Sequence, residues 1–300
     1  MEQKRKRILF IVNPKSGTFG KTNWISMATR MLANEFDLTF QYTTHRGHAC
    51  TLAQQAVADG VNIVAAVGGD GTVNEVASAL VGSETALAIL PLGSGNGLAR
   101  DLGISTLLPF SSLENIKHLN IRAIDYGRAN NVPFFCTCGI GFDALVSHEI
   151  VCNNKRGFWM YLKLVIDSYF RFHPVPCTFT HDGITEQRNV FLVNCANIRQ
   201  FGFNAYIAPK ADFTDGKLNV TIIKPFPLRT VVRLAVALFT KRIDRIMKYV
   251  ETFECEKVTL QVPEGTPFHC DGDYIEMPSN NIEVEIVPQS LKVLIPHPKK

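Results

Sequence analysis

The sequence predicts an α/β N-terminal domain, doubly wound on a mainly parallel sheet, followed by a mainly antiparallel β-sandwich domain. Three observations carry this prediction. The first third alternates short, nearly continuous apolar runs with stretches of helical spacing, the pattern of strands buried on both faces between layers of helices. Beyond about residue 124 the runs become alternating in polarity and are separated by turn pairs such as Asn130-Asn131 and Asp182-Gly183. At 300 residues the chain has near twice the common domain length, so each part can close a core of its own. The boundaries read from these changes are 1–123 for the α/β part, with 290–300 as a candidate returning segment, and 124–289 for the β-rich part.

Taken in order, "RILFIVNP", "DLTFQYTT", "NIVAAVG" and "ALAILPLG" give the first four strands, and "GHACTLAQQAVADG" has the apolar spacing of an intervening helix. "IRAIDYGRANNVPFFCTCGIGF" reads as two strands joined at Asn130-Asn131. A helix is expected from Lys155 to about Phe172, then a hairpin in "PCTFTHDGITEQRNVFLVNCANI" with Asp182-Gly183 at its tip. "KLNVTIIKP", "KVTLQVP" and "NIEVEIVP" add strands, and a second helix is expected from Leu228 to about Val250 after Pro225 and Pro227. The last apolar run, "LKVLIP", follows a break at Pro288.

Composition narrows the function classes. A net charge of +4 suits anionic partners without requiring nucleic acid. "KRKR" at Lys4 to Arg7 lacks interleaved aromatics and reads as the solvated start of a strand. No apolar segment ends in a signal-type cleavage site, and no run approaches the roughly 18 apolar residues of a membrane span. A cytoplasmic protein, at most peripheral on the inner membrane face, is expected. The eight cysteines are scattered through apolar context, which reads as reduced core thiols, the Cys136/Cys138 pair included.

"VGGDGTVNEV", Val67 to Val76, turns from a strand into a helix through Gly68, Gly69 and Gly71. Glycines at such a junction let a phosphate approach the backbone, and the helix N-terminus favours its charge. Thr72 followed by Glu75 has the spacing of a capping box. Asp70 would repel a phosphate, so its presence suggests a bridging Mg²⁺ or a held water. "PLGSGNGLAR", Pro91 to Arg100, repeats the strand, glycine turn and helix, and "NPKSG", Asn13 to Gly17, gives a third polar turn; three such turns at one sheet edge point to a nucleotide. "SGTFGKT", Ser16 to Thr22, has two residues between its glycines where a P-loop needs four, and is excluded as one. "CDGDY" is a favoured hairpin turn that also presents Asp271 and Asp273.

"NPKSG", "TTHRGHA", "VGGDGTVNEV" and "PLGSGNGLARDLG", continued through "DFTDGKL" and "CDGD", resemble the catalytic domain of the diacylglycerol kinase and sphingosine kinase family, bacterial lipid kinases included. The resemblance implies a lipid kinase using ATP and Mg²⁺, acting on a lipid at a membrane surface, with no nucleic-acid partner. It implies that Asn13, Pro14, Lys15, Ser16, Gly17, Thr43, Gly69, Asp70, Gly71, Thr72, Val73, Asn74, Glu75 and Ser94 line the nucleotide. Asp271 would be the general base, with Asp273 standing where the family has Glu, and Asp70 would act near the Mg²⁺-bound phosphates. Asp212, Asp215 and Leu218 would hold a structural Mg²⁺, and Asp143, in "GIGFDALV", would meet a polar headgroup. Diacylglycerol is the leading substrate. "GSGNGLA" keeps a sphingoid base or ceramide open, and the rival of another class is a non-catalytic nucleotide- or lipid-binding regulator. The helix from Leu228 reads as core packing with a solvated basic face, or as contact with an anionic membrane.

Overall fold

The computed structural model describes residues 5–17, 21–108, 111–153, 158–276 and 279–297. Side chains are described for these residues except 21–23, 150–153 and 158–163. Lys4 and the centre of the "SGTFGKT" stretch, residues 18–20, lie outside the described residues. The chain divides into two compact units, Met1–Asp125 with Pro288–Lys300, and Tyr126–Val287.

In the first unit, apolar strands alternate with helices: β1 (Lys6–Val12), α1 (Lys21–Leu32), β2 (Phe36–Tyr42), α2 (His48–Ala58), β3 (Ile63–Gly68), α3 (Asp70–Leu80), β4 (Ala86–Pro91), then the short α4 (Gly97–Asp101) and α5 (Ser112–His118). The strands are parallel in the order β2-β1-β3-β4. β3 and β4 are buried along their whole length, which is why they lack alternation. One face packs Ile8, Phe10, Ala65 and Ala88 against Trp24, Ala28 and Leu32 of α1 and Leu113 and Ile116 of α5. The end of the chain closes this sheet: Val293 pairs in parallel with Leu87, and Leu291, Val293 and Leu294 are buried.

Strand β5 (Ile121–Ala129) passes into the second unit, followed by β6 (Val132–Phe134), β7 (Thr137–Gly141), α6 (Phe142–Asn153), α7 (Phe158–Arg171), β8 (Val175–His181), β9 (Ile184–Val190), β10 (Leu192–Ala196), β11 (Leu218–Ile223), α8 (Val231–Phe239), β12 (Val250–Cys255), β13 (Lys257–Gln261), β14 (Phe268–Cys270), β15 (Asp273–Ile275) and β16 (Asn281–Leu294). An antiparallel sheet runs β12-β11-β10-β7-β14-β15, and a second layer contains β16, β13, β8 and β9. Their facing sides share one core, with Ile140, Val193, Val220 and Phe268 meeting Phe179, Val258, Leu260 and Val284. The outer face of the six-stranded sheet packs Leu192, Ala196 and Ile223 against Leu234 and Ala237 of α8. The turns are the two expected ones: Asn130 joins β5 to β6, and Asp182-Gly183, both at positive φ, joins β8 to β9.

Four local expectations are corrected. The helix read from Leu228 to about Val250 is a 3₁₀ turn (Leu228–Thr230), α8 and a second 3₁₀ turn (Ile243–Arg245), interrupted at Lys241, whose φ is +59°. "IRAIDYGRANNVPFFCTCGIGF" gives three strands, β5 to β7, where two were expected, and its last residue, Phe142, already begins α6. β16 runs through Pro288 without a break; the kink falls at Gln289, at φ +46°, whose N–H donates to Asp125 Oδ1 at 2.8 Å. The fourth, at Thr72 and Glu75, belongs to the site described next. The cysteines with described side chains are free thiols. Among the described residues no helix is long and apolar enough to cross a membrane.

Candidate active site

The first unit places its polar turns just beyond the carboxyl ends of adjacent parallel strands: Asn13 to Gly17 after β1, Thr43 after β2, Gly69 to Glu75 after β3 and Ser94 after β4. Asn13 ties the set together. Its N–H donates to Val67 O (3.0 Å), its Nδ2 to Thr72 Oγ1 (3.2 Å), and its Oδ1 accepts from Lys15 N (2.9 Å), which curls Pro14 and Lys15 into a turn. Thr43 is buried and its N–H donates to Val12 O. Ser94 is exposed.

Helix α3 starts at Asp70 with Gly69 as its cap residue and no capping side chain. The first intrahelical bond runs from Val73 N–H to Gly69 O (3.1 Å), so the N–H groups of Asp70, Gly71 and Thr72 precede the helical ladder. The capping box therefore does not form. Glu75 reaches out of its own helix and accepts from Gly47 N (2.8 Å) and Ala49 N (3.1 Å) at the start of α2. Thr72 is buried against the turn, where a Cβ on Gly68 would lie 2.5 Å from its Oγ1. Gly71 is exposed, and a Cβ there would meet nothing within 4 Å. Around it is the open, positively polarised helix end that an anion fits.

Asp70 is spent on the neighbouring turn. Its Oδ2 accepts from Asn96 N and its Oδ1 from Gly97 N, both at 2.7 Å, so this carboxylate caps α4. Asn96, buried at φ +49°, completes the clasp by exchanging two hydrogen bonds with Gly93, Gly93 N to Oδ1 (3.0 Å) and Nδ2 to Gly93 O (2.7 Å). The two glycine turns touch: a Cβ on Gly93 would lie 2.5 Å from Gly69 Cα. With both carboxylate oxygens on backbone N–H groups, Asp70 is a poor fit for direct ligation of a metal. Among the described residues no group of three His, Cys, Asp or Glu side chains has the proximity to hold one.

In the second unit, Asp271 and Gly272, at φ +50° and +82°, form the two-residue turn between β14 and β15. The Asp271 carboxylate collects three successive amides: Phe135 N on Oδ2 (2.8 Å), and Cys136 N (2.7 Å) and Thr137 N (3.0 Å) on Oδ1. Three such donors stabilise the anion and fix its direction. Asp273 opens β15 opposite Cys270 and is half-buried.

Behind this turn lies a pair, a buried histidine on a half-buried carboxylate, that the sequence did not announce. His269 is 2% exposed; its Nδ1 accepts from Gly272 N (3.4 Å) and its Nε2 faces Asp143 Oδ2 (3.1 Å). Asp143 Oδ1 accepts from Ala144 N at the start of α6, and a Cβ on Gly139 would lie 2.3 Å from Val193 O and 3.3 Å from Asp143 Oδ2. On the other side of Gly139 in the sheet stands Asn194, fully buried with neither amide atom partnered among the described residues. Asp212 and Asp215 shape the loop before β11: Asp212 Oδ1 accepts from Thr214 N and Oγ1, and Asp215 Oδ1 from Lys217 N. Leu218 begins the strand.

A profile of the family described as "Diacylglycerol kinase catalytic domain" matches residues 7–129, and one described as "YegS C-terminal NAD kinase beta sandwich-like domain" matches residues 136–295. A diacylglycerol kinase of Mycobacterium tuberculosis is 30% identical over 255 residues, covering 82% of this chain and 80% of that protein. The chain belongs to the diacylglycerol kinase and YegS-like family of lipid kinases. A "Probable lipid kinase YegS-like" of Shewanella frigidimarina is 27% identical over 81% of this chain and 79% of its own length. The crystal structure of a diacylglycerol kinase from Bacillus anthracis has the same fold, with a TM-score of 0.75 at 20% identity and 98% of both chains covered. In this family member the Gly69–Gly71 and Asp271 turns each fall within a matched segment. Two residues of the site escaped the sequence reading. Asn96 carried a local signal, a non-glycine residue able to take positive φ inside "GSGNG"; His269 carried none, since its partner is 126 residues away.

Proposed function

We propose that this chain transfers the γ-phosphate of ATP to the hydroxyl of a membrane lipid, diacylglycerol foremost, with a sphingoid base or ceramide as the alternative acceptor. The observation that carries the reading is the Asp271 carboxylate, held as an oriented anion by the amides of Phe135, Cys136 and Thr137. A regulator that only binds nucleotide or lipid has no need of that arrangement.

In this reading the phosphates lie at the N-terminus of α3, over Gly71, with Asn13 to Gly17, Thr43 and Ser94 around the nucleotide. The lipid hydroxyl donates its proton to Asp271 as its oxygen bonds to the γ-phosphorus and the bond to the β-phosphate oxygen breaks, releasing ADP. A loose phosphoryl-transfer transition state asks for positioning of the acceptor more than for proton affinity, and the three amides supply that positioning. Mg²⁺ bound with the nucleotide would neutralise phosphate charge. Asp212, Asp215 and the backbone at Leu218 supply oxygen donors of the kind a hard cation takes, and a structural Mg²⁺ there is part of the proposal.

The test is transfer from labelled ATP to diacylglycerol, sphingosine, ceramide and monoacylglycerol in mixed micelles. Absence of a labelled lipid product ends the reading. Asp271→Asn is expected to lower kcat about 10²-fold or more at little change in ATP binding. It should also cost about 1–3 kcal/mol of stability, because its amide cannot serve three N–H donors. A variant with unchanged kcat removes Asp271 as the proton acceptor.

A further inference from the structure

Helix α8 is turned the other way from a packing helix with a wet polar face. Of the segment Leu228–Phe239, only Thr230, Leu234 and Ala237 are buried, whereas Leu228, Val232, Val236 and Phe239 are 54%, 72%, 55% and 60% exposed. Their spacing of four, four and three residues puts them on one side of the helix. Arg229 and Arg233 flank this ribbon, and all the cations that follow, Lys241, Arg242, Arg245 and Lys248, are exposed. Among the described residues none of these six is paired with a carboxylate. The single acid between residues 225 and 249, Asp244, is held by Lys210 at 3.5 Å.

A second apolar group stands beside the end of the helix. Tyr206 N–H donates to Leu238 O (2.9 Å) and Lys241 Nζ lies 4.5 Å above the Tyr206 ring, which fixes the Phe201–Tyr206 loop against α8. Within that loop Phe203 is 63% exposed and sits at φ +51°, a backbone conformation bulky residues rarely adopt. The loop thus holds an aromatic ring out in solvent.

We infer that Leu228, Val232, Val236 and Phe239, with Arg229 and Arg233, form a face that lies in the headgroup and outer acyl layer of an anionic bilayer. An apolar ribbon edged by unpaired cations matches such a surface in both polarity and charge. A second copy of the chain does not match it, since a two-fold contact would set these cations against themselves. The inference deepens the lipid-kinase reading by naming the face from which the substrate's membrane is met, yet it can fail separately.

The test is co-sedimentation with vesicles of phosphatidylcholine alone or with about one part in three phosphatidylglycerol. The wild-type chain is expected to bind the anionic vesicles at least about tenfold more tightly. Val232→Asp with Phe239→Asp should weaken that binding about tenfold or more, and Arg229→Glu with Arg233→Glu should abolish the preference for anionic lipid. Ile184→Asp, an exposed control at the tip of the β8–β9 hairpin, should bind as wild type. All these side chains are exposed, so circular dichroism should report unchanged folding. Anionic-vesicle binding that survives Val232→Asp with Phe239→Asp overturns the inference, as does a wild-type dimer dissolved by the same variant. Vesicle binding without phosphate transfer would remove the kinase reading and leave the face standing; transfer without vesicle binding would do the reverse.

Discussion

Asp70 shows how far a residue's chemistry can be read before its neighbours are known. A carboxylate among glycines at a helix N-terminus suggests a metal ion, because it would face the phosphate that such a turn is suited to hold. The structure supplies a different partner: the N–H groups of Asn96 and Gly97, each at 2.7 Å, 26 and 27 residues away. Charge-assisted bonds of this kind at a partly exposed site together contribute about 2–4 kcal/mol. Asp70→Ala is therefore expected to lower the unfolding free energy by about that amount in urea melts without nucleotide. An unchanged melt would return Asp70 to a role that needs a ligand. Asp271 and Asp143 were legible as residue types in marked segments, while the amides and the histidine that hold them come from segments 134 to 136 and 126 residues away. No spacing rule spans such separations.

At the scale of elements, strands and turns were legible and helix ends were not. Continuous apolarity marks β3 and β4, and Asn130 and Asp182 mark their hairpins, because these signals arise within a few residues. A capping box is also local, yet Glu75 caps α2 instead of α3, since packing of the two helices offers it the Gly47 and Ala49 amides. Likewise the helix expected to run to about Val250 ends at Phe239, because the positive φ of Lys241 turns the chain before Ile243 is buried. The contact between the two glycine turns makes a paired prediction. Gly93→Ala places a methyl 2.5 Å from backbone Gly69 Cα and 2.8 Å from Asn96 Oδ1, neither of which can move without breaking the Asp70 clasp. It should cost about 2–3 kcal/mol. Gly71→Ala, in open space at a helical position, should leave stability within about 0.5 kcal/mol or raise it. If phosphate sits where the Proposed function puts it, the same methyl should still weaken ATP binding about tenfold in a nucleotide titration. Equal stability losses in the two variants would contradict the geometry.

Over the whole molecule, the fold class followed from a change of periodicity along the chain, a property that needs no knowledge of contacts. The path of the last strand did not, because Pro288 reads locally as a break, and it is Gln289, bonded to Asp125, that lets β16 carry on and bury Leu291 and Val293. The scattered cysteines likewise converge only in three dimensions. Cys138 stands opposite Cys195 on β10 and Cys270 on β14, in the core that also takes Cys177 and Cys255. Burial, with the neighbouring Cys195 adding to it, pushes the Cys177 and Cys255 thiols up to about 12, and burial first of all raises Cys138 and Cys270 as well. In the unfolded chain these thiols titrate near 9. Between pH 9 and 12 the unfolded state therefore binds fewer protons than the native state, and stability falls as pH rises, by about 1.4 kcal/mol per pH unit for each thiol in that window. Below pH 9 both states hold the proton and the effect vanishes. Lysines and tyrosines also titrate in this range, so the slope is isolated by comparison with a Cys177→Ala, Cys255→Ala variant. The cavities in that variant lower its stability at every pH, whereas its decline from pH 9 to 10.5 should be shallower than that of the wild type in urea midpoints. Parallel declines would mean that the two thiols ionise as readily in the folded core as in the open chain, and that the core is not the dry sandwich its packing describes.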